Sequence, residues 1–150
     1  MNFQYVYLAG PIDGLAEHQV TDWRYHAIDY LATHENASAR IKTINPYRLE
    51  TVFGEYTQEF RKKIARKNRM DCTKSDLILA YLPKHLNDAK GVSLGTVCEI
   101  SWFGWQNKPV IVVTDDERVR LHPLIEDQTD VFYVELDAAL DKVISLLEVY

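Results

Sequence analysis

The spacing of apolar residues changes along the chain, and the changes mark out its elements. Phe3–Ala9 (FQYVYLA) is a β-branched and aromatic run closed by Gly10-Pro11, which predicts a strand. The following Gly10-Pro11-Ile12-Asp13-Gly14 predicts a tight loop. From Glu17 to about His34 the residues Val20, Trp23, Ala27, Tyr30 and Leu31 recur at helical spacing. Ile41–Ile44 reads as a short strand stopped by Asn45-Pro46, and Glu50–Tyr56 as loop. Thr57 to about Thr73 predicts a helix with Phe60, Ile64 and Met70 inward. Its basic side chains, Arg61, Lys62, Lys63, Arg66, Lys67 and Arg69, face outward. Asp76–Leu82 is a third strand ended by Pro83, and Ser93 to Gln106 a helix. Pro109–Thr114 is an unbroken apolar run, as in a sheet covered on both faces. Val131–Val134 gives the last strand and Leu136–Leu147 a closing helix.

Strands alternating with helices predict a doubly wound α/β fold. The expected core is a five-stranded, mostly parallel sheet with helices on both faces, of Rossmann or flavodoxin-like type. One domain over residues 1–150 is expected from the length and from the lack of repeats, low-complexity stretches and linkers. Ligands of such sheets bind beyond the carboxyl ends of the strands. That places Tyr7–Asp13, Asn45–Tyr47 and Pro83–Thr96 on one rim. Asp76, which opens the third strand, falls on the opposite rim and reads as structural.

Composition adds limits rather than detail. A hydrophobic content of 47% with 26% charged residues describes an ordinary globular protein. A net charge of −5 argues against duplex nucleic acid as a partner, because neutralising phosphates needs a basic surface. No apolar run approaches the roughly 20 residues of a membrane span, and MNFQYVYLAG lacks the marks of a signal peptide. Cys72 and Cys98 form neither a metal spacing nor a disulfide framework, so a cytoplasmic protein is expected.

The chemistry concentrates in Lys90–Ile100, KGVSLGTVCEI, between the third and fourth strands. Gly91 and Gly95 permit unusual backbone angles and close approach of a ligand. Ser93 and Thr96 offer hydroxyls at a helix start, where unpaired N–H groups and the helix dipole favour an anion. Ser93 also suits a plain N-cap, and the two roles are compatible. Neither GxxxxGK[ST] nor GxGxxG is present. One turn further on, Glu99 precedes Ile100, Trp102 and Phe103; an acid among such side chains is paired or used. A carboxylate beside a sugar C1 can attack it to form a glycosyl ester. A phenol at the end of the first strand could orient that carboxylate. Tyr5 and Tyr7 share a strand face, and the pattern does not choose between them. His18, His26 and His34 recur too far apart for a shared metal and read as surface or packing residues. His122-Pro123, after the fourth strand, lies in a region that could reach this site or a neighbour's. Trp102, Phe103 and Trp105 read as core or interface.

Several segments together carry a family resemblance: YLAGPI at Tyr7–Ile12, Asn45-Pro46, KNRMDCTKSD before LILAYL, SLGTVCE, and KPVIVV. Over about residues 5 to 115 the chain resembles the nucleoside 2-deoxyribosyltransferase family, which includes relatives that hydrolyse deoxynucleoside 5′-monophosphates. The resemblance implies that Glu99 is the catalytic nucleophile and Tyr7 its hydrogen-bonding partner. It also implies that Gly10, Pro11 and Ile12 form the sugar and base pocket, with Ser93, Gly95 and Thr96 at the 5′ end. Eight residues before the acid that opens the third strand the family often has an aspartate that handles the leaving base. Asn68 stands there and can hydrogen-bond a base but cannot protonate it; Asp71, a turn on, is the nearest substitute. Six residues before the nucleophile, transferases acting on free nucleosides commonly carry aspartate for the 5′-hydroxyl. Here it is Ser93, as in the monophosphate hydrolases. Asp13 points the other way, since those hydrolases tend to have a basic residue in that loop. GTVCE also echoes the GTxxE of phosphoribohydrolases, without their preceding PGG.

The resemblance thus implies cleavage of the N-glycosidic bond of a 2′-deoxynucleoside, or its 5′-monophosphate, through a deoxyribosyl-Glu99 ester. Transfer to another nucleobase comes first. Hydrolysis of a monophosphate is the alternative, and a non-catalytic nucleotide-binding module on the same fold a further one. No metal or organic cofactor is called for. The implied partners are a nucleoside or nucleotide, a nucleobase, and further copies of the chain in a homodimer or larger assembly.

Overall fold

The structure is a computed structural model and describes residues 2–47 and 57–148. Residues 48–56, and with them the expected loop at 50–56, lie outside the described residues. In chain order the elements are β1 (Gln4–Ala9), α1 (Glu17–Thr33), β2 (Ile41–Ile44), α2 (Gln58–Lys74), β3 (Leu77–Tyr81) and α3 (Lys84–Lys90). They continue with α4 (Leu94–Trp105), β4 (Val110–Val113), α5 (Glu117–Arg120), α6 (Pro123–Gln128), β5 (Val131–Tyr133) and α7 (Leu136–Glu148).

All five strands are parallel, in the order β2-β1-β3-β4-β5, and the expected doubly wound α/β sheet is present. Alternation along the strands sends successive side chains to opposite faces. Val6 and Leu8 of β1, with Leu77, Leu79, Ile111 and Val113, meet Trp23, Ala27 and Leu31 of α1 and Leu140, Val143 and Ile144 of α7. Tyr7 and Ala9, with Ile78, Ala80, Val110 and Val112, meet Cys72 of α2 and Ile100 and Phe103 of α4. A sheet covered on both sides needs apolar residues at every position of its central strands. That explains the fully buried VIVV of β4 and the nearly continuous LILAY of β3.

Three short helices, α3, α5 and α6, were not expected from the apolar pattern. KHLNDAK anchors only Leu86 and Asn87, and four to seven residues are too few to show a stripe. Each begins at a stop signal instead. Pro83 precedes α3, the Asp116 carboxylate accepts from the Arg118 N–H at α5, and His122 Nδ1 accepts from the Leu124 N–H at α6.

One inward assignment on α2 is corrected. Met70 is 62% exposed, while Phe60 and Ile64 are half-buried as expected. The stripe runs 60, 64, 68, 72, four residues apart. Residue 70 lies about 240° round the helix from Ile64, on the solvent side. The basic side chains of α2 do project outward.

The chain reverses its direction of winding between β1 and β3, where β2 lies to one side and β3 to the other. A crevice opens at such a switch point beyond the strand ends. Gly10 leaves β1 there under close packing, since a Cβ on it would lie 2.7 Å from Trp23 Cζ2. Leu79, fully buried at the centre of the sheet, tests the packing. Leu79→Ala is expected to cost about 2–5 kcal/mol in denaturant unfolding. A loss below about 1 kcal/mol would contradict this core.

Candidate active site

Helix α4 buries one stripe, Thr96, Glu99, Ile100 and Phe103, against the sheet. Three of these four positions suit a core, and the fourth is an acid. Glu99 is 8% exposed, and its carboxylate Oε2 accepts a hydrogen bond from the Tyr7 hydroxyl, which rises from β1 on the same sheet face. Tyr7 is fully buried and its ring leans on Phe103, centroids 6.1 Å apart. The open choice between Tyr5 and Tyr7 is therefore settled by position along the strand. Tyr5 sits two residues nearer the amino-terminal rim, where its N–H donates to Asp76 Oδ2 at 2.7 Å and the Lys74 ammonium lies 4.5 Å from its ring centroid. Asp76 joins β1 to β3 at that rim, in the structural role expected of it.

Burial raises the Glu99 pKa from 4.5 to about 7, against the opposing pull of the Tyr7 hydroxyl and then of the Arg24 positive charge. Tyr7 is pushed well above the usual phenol range, first by burial and then by the neighbouring carboxylate, so it remains a donor. Cys72 Sγ lies 4.0 Å from Glu99 Oε2. Burial and then Glu99 raise its thiol to about 12, which leaves it protonated and unreactive at neutral pH.

Glu99 forms part of the floor of a cleft of about 730 Å³ at the switch point. One wall is the loop after β1, with Gly10, Pro11 and Ile12; another is the start of α4, with Ser93, Gly95 and Thr96. Ile64 and Asn68 close the α2 side, and Pro46 and Tyr47 follow from β2. The Asn68 Oδ1 atom is buried and has no hydrogen-bond partner among the described residues. An orphan acceptor beside a cleft suits a ligand N–H. Asp71 is placed differently. It is buried, its Oδ1 accepts from Lys67 Nζ at 2.8 Å, and it is not part of the cleft lining. One turn after Asn68, its side chain pairs with Lys67.

Ser93 is the N-cap of α4: its Oγ accepts from the Thr96 N–H at 3.2 Å and from the Thr96 hydroxyl at 3.0 Å. Its own proton and the first N–H groups of the helix remain for a ligand. Gly91, at φ +80°, ends α3 in a conformation that favours glycine. Gly95 differs from expectation, being helical; its contribution is open space, with the nearest atom 4.0 Å from where a Cβ would stand. Lys90 also lines the cleft, its stem against Gly14, where φ is +74° and an added Cβ would lie 2.6 Å from Lys90 Cε. Asp13 and Glu17 add two exposed carboxylates to the same rim.

The match to known proteins is consistent with this geometry. The family model described as nucleoside 2-deoxyribosyltransferase like matches residues 4–117. The chain belongs to that family. Its fold is similar to that of a 2-deoxyribosyltransferase from Bacillus psychrosaccharolyticus, at 15% identity and a TM-score of 0.64, over 91% of this chain and 90% of the other. It is similar also to a CMP N-glycosidase from Clostridium botulinum, at 17% identity and a TM-score of 0.56, over 95% and 99%. A molybdenum cofactor binding protein from Rippkaea orientalis is similar at 14% identity and a TM-score of 0.60, over 98% and 99%. Comparison with curated protein sequences gives no match.

One residue of this family member was missed in the sequence. Arg24 is fully buried, within the stripe Val20, Arg24, Ala27, Leu31 of α1. The signal is its position: Val20, Ala27 and Ile28 stand four before, three after and four after it on the helix, and of its helical neighbours only Thr21, three before, is polar. An apolar pattern by itself does not include an arginine.

The raised Glu99 pKa makes stability depend on pH. Between 4.5 and about 7 the folded state holds a proton that the unfolded chain releases. The contribution is fully present below 4.5 and is lost as pH rises through about 7. Glu99→Gln, which carries no charge, is expected to be more stable than the parent at pH 8, by on the order of a few kcal/mol. The difference should shrink toward pH 5. Denaturant unfolding of both proteins across that range checks it, and a difference that does not vary with pH would contradict the burial of an ionisable Glu99.

Proposed function

We propose that the protein breaks the N-glycosidic bond of a 2′-deoxynucleoside through Glu99 and passes the sugar to another nucleobase. The observation that carries this reading is the buried Tyr7–Glu99 pair at the floor of the cleft. The ionised Glu99 oxygen attacks C1′ as the C1′–N bond breaks, and the departing base keeps the electron pair and takes a proton from solvent. The transition state is oxocarbenium-like. The second base then attacks C1′, loses its N–H proton to solvent, and restores the carboxylate with retention overall. Tyr7 holds the carboxylate in line with C1′. The buried acceptor of Asn68 takes an N–H of the base, and Gly10, Pro11 and Ile12 leave room for sugar and base. Ser93, Gly95 and Thr96 receive the 5′ end.

A second reading has a specific observation in its favour. Lys90 lies on the cleft near Ser93, at the start of α4. A cation, a hydroxyl proton and a helix start together suit a 5′-phosphate. On this reading the substrate is a deoxynucleoside 5′-monophosphate and water opens the ester. A homodimer or larger assembly belongs to either reading. Leu94 and Trp105, 82% and 84% exposed on α4, are apolar residues that a second copy would cover.

The test is chromatographic: each deoxynucleoside and each 5′-monophosphate is incubated with the protein, with and without a second base. New nucleoside formed only with added base supports transfer. Free base released from monophosphates alone supports the hydrolase. Silence across the panel overturns both readings and leaves a binding module. Glu99→Ala is expected to lower turnover by about three orders of magnitude or more, roughly 4 kcal/mol. Tyr7→Phe should lower it by about 10- to 100-fold, in line with one hydrogen bond to a charged group. In the parent, kcat/KM should rise with pH through about 7, as Glu99 ionises. Near-parental turnover in Glu99→Ala would sink the mechanism.

A further inference from the structure

Arg24 is the most unusual buried group in the molecule. No part of it is exposed, and it is the largest of the fully buried side chains. Its Nη1 donates to the Val20 carbonyl at 2.7 Å and its Nη2 to the Gly10 carbonyl at 3.0 Å. Its Nε has no partner among the described residues. The guanidinium lies 4.5 Å from the ring centroid of Trp23, which packs against Gly10 from the same helix. Neither hydrogen bond goes to a carboxylate. A buried cation held only by carbonyls and an aromatic face is costly, and stability alone would favour an apolar residue at this position. The ionisable groups whose charge acts on it are Glu99 first and Tyr7 second. Burial lowers its pKa to about 10, which leaves it charged at neutral pH.

Arg24 comes from α1, and Glu99 from α4 on the other face of the sheet. Arg24 holds the carbonyl of Gly10, the residue after the carboxyl end of β1, and Gly10 and Glu99 line the same cleft. We propose that Arg24 is a positioning residue of the site, the standing counter-charge of the Glu99 carboxylate and the clamp that fixes the Gly10 loop across the cleft. The proposal rests on Glu99 being the reactive carboxylate. It adds an account of how an acid buried under a sheet ionises at all. Tyr7 from β1 and Cys72 from α2 touch the Glu99 carboxylate, and Arg24 from α1 acts on it through its charge. Tyr7 and Cys72 are both protonated at neutral pH, so Arg24 alone among them carries a full positive charge. The same side chain holds the loop carbonyl, so carboxylate and sugar pocket share one anchor.

Two substitutions separate charge from shape. Arg24→Gln keeps a donor for the Gly10 carbonyl and loses the charge; Arg24→Lys keeps the charge and loses the planar fork. Each is compared with the parent in two ways: the pH profile of kcat/KM, and the titration of the Glu99 carboxyl carbon by NMR in protein labelled at glutamate. In Arg24→Gln both are expected to move about one pH unit upward, which lowers kcat/KM about tenfold on the acid side and little at pH 9. In Arg24→Lys the titration should stay near the parent's, with a smaller, pH-independent loss of rate. An unmoved Glu99 titration in Arg24→Gln would overturn the proposal, as would an equal shift in both variants. Failure of both variants to fold would also overturn it, by making Arg24 a support of the fold alone. The NMR titration needs no turnover. If Glu99→Ala kept its activity while Arg24→Gln still moved the Glu99 titration, the reading of the reaction would fail and the counter-charge would stand.

Discussion

A carboxyl group buried under a parallel sheet is the constraint on which the arrangement depends. Water is the cheapest solvation for a carboxylate, and Glu99 has given up most of it. The fold replaces that water with one phenol hydrogen bond and one distant positive charge, each from a different element. Neither alone outweighs the desolvation, so the carboxyl stays near the midpoint of its titration at neutral pH. That balance is useful for a nucleophile. A fully solvated carboxylate is a poor attacker, and a fully protonated one does not attack.

The balance requires elements from both sheet faces to meet. Tyr7 can point at Glu99 only because β1 alternates, sending Tyr7 to the α4 face while Val6 and Leu8 face α1. From the α1 side, Arg24 reaches the strand's end, where it donates to the Gly10 carbonyl. The close fit of Gly10 against Trp23 and the Tyr81 carbonyl leaves no room for a side chain. The stacking of Trp23 on Tyr81, centroids 4.7 Å apart, holds α1 against β3 at the same point. The switch point of the sheet is thus a crevice for a ligand and also the place where Arg24 from α1 holds the Gly10 loop that lines it.

Much of this was legible in the sequence. The strands show as apolar runs because the sheet is covered twice, and Glu99 is conspicuous as an acid within a helix's apolar stripe. Asn68, Ser93 and the Gly10 loop line one cleft with Glu99, and Tyr7 donates to that carboxylate. What was not legible has physical reasons. The choice of Tyr7 over Tyr5 depends on the position of α4 along the strand, which no local pattern encodes. Helices of four to seven residues show no period, and their caps alone announce them. Met70 is apolar but lies at a solvent-facing angle of its helix, and Arg24 is charged but lies on the buried stripe of its own. In both, the angle round the helix outweighs residue type.

The same fold serves a molybdenum cofactor binding protein at a TM-score of 0.60, so the sheet and its crevice do not select the chemistry. The distinction between a carrier and an enzyme has to come from groups that binding does not need. A ligand is bound well by a hydroxyl, backbone N–H groups and a cation, and this cleft has Ser93, the start of α4 and Lys90. Binding gains nothing from a carboxyl buried beneath the cleft, whose ionisation lowers stability and whose partners are a phenol and an arginine in the core. Such a group is a standing cost to the fold. Its retention is understandable where the carboxylate itself reacts, and that is why the buried pair, rather than the cleft, carries the case for catalysis.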